Sequence, residues 1–60
     1  MTQKELSYVE DAIKHEQAIE QICTNTINSL EDKKLKSFVQ NELKIHQKLY
    51  TKLLGTLQDE

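Results

Sequence analysis

The sequence predicts an all-α protein: an antiparallel helical hairpin that pairs with further copies into a four-helix bundle. Three observations carry this expectation. The 60 residues include no proline and one glycine, which leaves few points at which a helix must break. Seam positions recur at alternating intervals of three and four: Leu6, Val9, Ile13, Glu16, Glu20, Cys23, Ile27 and Leu30, then Val39, Leu43, His46, Tyr50, Leu53 and Leu57. Between the two runs lies a short polar turn, residues 29–32. One hairpin domain over residues 1–60 follows, with helices over about 3–28 and 31–55.

Thr2 and Glu5 have the spacing of a capping box, in which the hydroxyl takes an early backbone N–H and the glutamate reaches back to the cap. The first helix is therefore expected to begin near Gln3. Thr24, Asn25, Thr26, Asn28 and Ser29 are weak helix formers whose side chains compete for backbone hydrogen bonds, so its last turns should be its softer end. Ser29 is expected to cap the second helix, with Glu31 and Asp32 near the positive end of its dipole. Leu35, Phe38, Leu49 and Leu54 add to the apolar content of that helix, Gly55 is placed to end it, and residues 58–60 are expected to fray.

Two helices of roughly 25 residues would each be about 38 Å long, too elongated for one hairpin to shield its own apolar surface. Ordering costs about 1.5 kcal/mol per residue, close to what so small a core returns, and oligomerisation is the natural remedy. A dimer or tetramer is therefore expected.

Ten acids and eight lysines give a formal charge of −2, with no arginine to fork onto phosphate, which disfavours nucleic-acid binding. Residues 2–30 hold five acids against two lysines, and the remainder five acids against six lysines, a mild complementarity that favours antiparallel packing. Lys44, Lys48 and Lys52 lie four apart and read as a solvated stripe. No apolar run approaches the 18 residues of a membrane span, and no apolar leader is recognisable at the start, so cytoplasmic synthesis without membrane attachment is expected. Cys23 reads as a small buried hydrophobe; a single cysteine makes no intrachain bridge, while one between two copies stays open.

Whatever chemistry the chain carries lies in the seam's polar layer. With the turn near Glu31, antiparallel partners have numbers summing to about 62, which sets Glu16 level with His46 and Glu20 level with Glu42. The simpler reading has His46 hydrogen-bonded to Glu16 across the hairpin, or to its twin across a dimer, fixing register as a polar residue does in coiled coils. The alternative is a carboxylate-bridged iron or manganese site at the centre of a dimer, with Glu16, Glu20, Glu42 and His46 as ligands. Bundles of that kind use Glu-x-x-His, whereas here the residue three before His46 is Leu43 and the glutamate stands four before. That difference turns the Glu42 carboxylate by about 100° from the usual ligand direction. His15 points away from the seam, and Tyr8 and Tyr50 read as seam or flank residues with hydroxyls reaching water. There is no glycine loop for phosphate, no Cys-His pair within plausible reach and no serine with a supporting base, so neither catalysis nor a cofactor is expected.

The segment Asp11-Ala12-Ile13-Lys14-His15-Glu16-Gln17-Ala18-Ile19, followed by Leu35-Lys36-Ser37-Phe38-Val39 and the stretch through Glu42 and His46 to Tyr50, resembles the helical hairpin of the spore coat F family, itself ferritin-like. In that family a polar turn ends the first helix, a Leu-Lys or Leu-Arg pair begins the second, and a His or Gln lies about eleven residues on. Leu35 with Lys36, then His46, follows that plan. The resemblance implies a ferritin-like half-bundle from a spore-forming bacterium, without catalysis, with other coat proteins as partners and the spore coat as destination. A third reading is an adaptor whose apolar groove accepts a helix from another protein.

Overall fold

α1 spans Gln3–Ser29 and α2 spans Lys33–Gln58 in the computed structural model of the chain, which describes residues 1–58. The two helices pack antiparallel along their length, joined by Leu30, Glu31 and Asp32. The resulting rod measures 45 × 15 × 11 Å. Its radius of gyration, 14.1 Å, exceeds the roughly 10 Å of a compact 60-residue domain.

α1 begins as the capping box requires. The Glu5 amide donates to Thr2 Oγ1 at 3.0 Å, and the Thr2 amide donates to Glu5 Oε1 at 2.8 Å. The Thr2 backbone N–H, and secondarily its hydroxyl, stabilise the charged Glu5 carboxylate and hold its pKa below the ordinary value. The bond is therefore intact at neutral pH and is lost as the pH falls through that lowered pKa.

The far end of α1 differs from the sequence expectation. The helix runs unbroken through the polar run to Ser29, and hydroxyls of that run turn back on the backbone. Thr24 Oγ1 donates to the Glu20 carbonyl at 2.9 Å and Ser29 Oγ to the Asn25 carbonyl at 3.0 Å. With its hydroxyl committed there, Ser29 ends α1 rather than capping α2. Leu30 leaves the helix in an extended conformation, φ −82° and ψ 137°, and its N–H donates to the Thr26 carbonyl. Asp32 caps α2 instead: its Oδ1 accepts from the amides of Lys34 at 2.8 Å and Leu35 at 3.1 Å. Asp32→Ala is expected to lower stability by about 1 kcal/mol, read as a shift in the urea midpoint at fixed protein concentration.

Gly55 is not a cap either. Its φ is not positive, and α2 continues through it to Gln58 because Leu57 still has seam surface to cover. Of the residues expected to fray, Gln58 is helical, and 59–60 lie outside the described residues.

The core is thin. Ile13, 9 % exposed, is the one buried residue among those described. The other seam positions, including Val9, Cys23, Ile27, Leu30, Val39, Leu43, Tyr50, Leu53 and Leu57, are half-buried, while Leu6 near the open end stays exposed.

Candidate functional site

Halfway along the rod, two ionisable side chains occupy seam positions that would otherwise hold aliphatic ones. Glu16 sits one turn after Ile13 on α1, and His46 one turn after Leu43 on α2. The antiparallel register brings them level, and His46 Nδ1–H donates to Glu16 Oε2 at 2.6 Å. The His46 side chain is 24 % exposed and that of Glu16 14 %. A carboxylate acceptor this close makes a strong, directional bond, and the flanking apolar layers limit competition from water.

One turn further on, the arrangement loosens. Gln17 Nε2 donates to Tyr50 Oη at 3.2 Å on one flank of the seam, so that hydroxyl is engaged rather than left to water. This bond was not foreseen, although Gln17 follows Glu16 as Gln47 follows His46, marking one side of the hairpin as amide-rich. Glu20 and Glu42 are half-buried; among the described residues neither carboxylate makes a hydrogen bond or ion pair. No three His, Cys, Asp or Glu side chains gather as a possible ion site within one chain, again among the described residues. Of the four proposed ligands, the structure thus joins Glu16 to His46 and leaves Glu20 and Glu42 apart from them. His15 and Tyr8 are exposed, the latter at 60 %. Cys23 is half-buried with a free thiol.

Chemically, a single acid–imidazole pair beside an amide–phenol bond orients two helices. No helix among the described residues is long and apolar enough to cross a membrane.

Fold and site together define an antiparallel helical hairpin with one polar layer in its seam. The chain matches no protein-family model, no curated protein and no solved structure. The likeness to the coat F family therefore rests on the quoted residues alone.

Proposed function

We propose that the chain is a non-enzymatic structural protein of the coat F type, which acts by assembling with copies of itself and, in a spore coat, with other coat proteins. The observation that carries this reading is the burial pattern. Among the described residues only Ile13 is buried, while Ile22, Leu35, Phe38, Ile45 and Leu49 remain exposed on helices whose caps and seam are otherwise well formed. A hairpin so short of core gains stability by covering apolar surface with another molecule. The Glu16–His46 bond then serves as a register device: a slip of one helical turn in either direction would separate the two groups, and in one direction it would set His46 level with Ile13 and Glu16 level with Leu43.

Native mass spectrometry with and without added Fe(II), Mn(II) or Zn(II) tests this reading. A metal-free dimer or tetramer, unchanged by the ions, is the expected result. A helical monomer at every concentration would overturn self-assembly, and two tightly held ions per dimer would replace the structural role with a metal-binding one. Extraction of the protein from purified spores, with its absence from the coat fraction as the adverse outcome, tests the destination separately.

A further inference from the structure

The seam accounts for only part of the apolar surface. Immediately before seam positions on α1 stand Tyr8, Ile19 and Ile22; immediately before seam positions on α2 stand Phe38, Ile45 and Leu49. A step back of one residue turns a side chain by 100° about its helix in a fixed sense. Because the two helices run antiparallel, the same sense of rotation carries both sets to the same side of the hairpin. That side therefore carries an apolar patch along its middle, with His15 and Glu42 within it and Glu5, Thr26, Lys52 and Thr56 toward its ends. Tyr8 at 60 %, Ile22 at 63 % and Phe38 at 64 % exposure lie open on it. The opposite side is polar: Gln17, Gln21, Thr24 and Gln47 line one shallow groove there.

We propose that this face is the docking surface for a second copy of the chain, related by a twofold axis parallel to the helices, so that α1 of each copy lies across α2 of the other. The inference rests on the self-assembly reading and supplies its geometry. Two arguments identify the occupant.

The first is area. The chain exposes 4908 Å², whereas a compact 7.0 kDa protein exposes about 4000 Å². The excess, about 900 Å², matches the roughly 800 Å² that each partner contributes to a stable interface of standard size.

The second is charge. α1 carries two lysines and five acids, a net of −3; α2 carries six lysines and one acid, a net of +5. Two twofold arrangements would bury the same face. One lays α1 on α1 and α2 on α2, setting two helices of net +5 against each other and two of net −3 against each other. The other lays α1 on α2, each helix then having only antiparallel neighbours of opposite charge. An axis parallel to the helices keeps every residue at its own height. The Glu16–His46 register then places Asp11 of one copy between the heights of Lys48 and Lys52 of the other, at the rim of the apolar contact. Both arrangements are closed, and only the second is electrostatically complementary.

Sedimentation equilibrium of the full chain and three variants tests the inference. Ile22→Gln replaces an exposed side chain with a better helix former, so the hairpin itself is not weakened. It should weaken dimerisation by about tenfold or more, since the symmetric contact is lost twice. Asp11→Lys should also weaken it, and Asp11→Lys combined with Lys52→Glu should recover most of the loss. A dimer indifferent to Ile22→Gln would overturn the assigned face while leaving self-assembly standing. A dimer sensitive to Ile22→Gln but unaffected or strengthened by Asp11→Lys would overturn the orientation. A wild-type chain that stays a helical monomer at millimolar concentration would sink this inference and the self-assembly reading together.

Discussion

Ile13→Ala is expected to unfold most of the protein at micromolar concentration. Removing a buried isoleucine side chain costs about 2–5 kcal/mol, from lost transfer free energy plus the cavity left behind. A 60-residue domain has only about 3–9 kcal/mol of stability in total. Ile13 is the one described residue that the hairpin buries, so no neighbouring core exists to absorb the change. The contrast is Asn41→Ala at an exposed position of α2, which should shift stability by less than about 0.5 kcal/mol. Urea unfolding followed by circular dichroism, at one fixed protein concentration, compares the two. Equal midpoints would mean that seam packing is not what holds the helices together.

Glu16 and His46 are expected to show strong, non-additive coupling. His46→Leu leaves the Glu16 carboxylate mostly covered and without its donor, a loss of about 1–3 kcal/mol. Glu16→Leu strands the imidazole in the same way. The double variant Glu16→Leu/His46→Leu should be as stable as the parent or more so, because a well-packed aliphatic pair commonly equals or exceeds a buried polar one. What the double variant loses is uniqueness: an apolar seam tolerates a slip of one turn, and its amide nuclear magnetic resonance spectrum should show more than one set of signals. The double-mutant cycle in urea measures the coupling. Additive single effects with a sharp spectrum for the double variant would show that the bond neither stabilises the hairpin nor sets its register.

That bond was legible in the sequence for a simple reason. Two runs with three-four spacing and a turn near Glu31 leave one register in which the seams coincide, and in that register Glu16 and His46 are level. The caps were half legible. Thr2 with Glu5 has no rival near the start of α1, and the box forms. Ser29 and Asp32 are both capable caps three residues apart, and local chemistry does not choose between them. The choice falls to Leu30, which stays half-buried against the seam only if α1 runs through Ser29. Gly55 misled for the same reason, since the apolar contact of Leu57 outweighs the turn-forming freedom of a glycine. Glu20 and Glu42 were level on paper, but levelness fixes height and not direction, and Glu42 lies on the flank rather than the seam. The second apolar face was present as residues yet invisible as a surface, because only antiparallel pairing carries Ile22 and Phe38 to the same side.

The connection between the helices has a topological meaning as well as an energetic one. None of Leu30, Glu31 and Asp32 is glycine or proline, and none has a positive φ, so no covalent feature forbids the helix from running straight on. A continuous helix over the same residues would leave every seam contact available, to be satisfied by the exchanged half of another chain. The closed hairpin and such a domain-swapped form differ in only three residues' conformation. The extended backbone of Leu30 and the two amides held by Asp32 are thus a latch, and they decide whether a chain folds back on itself or reaches into its neighbour.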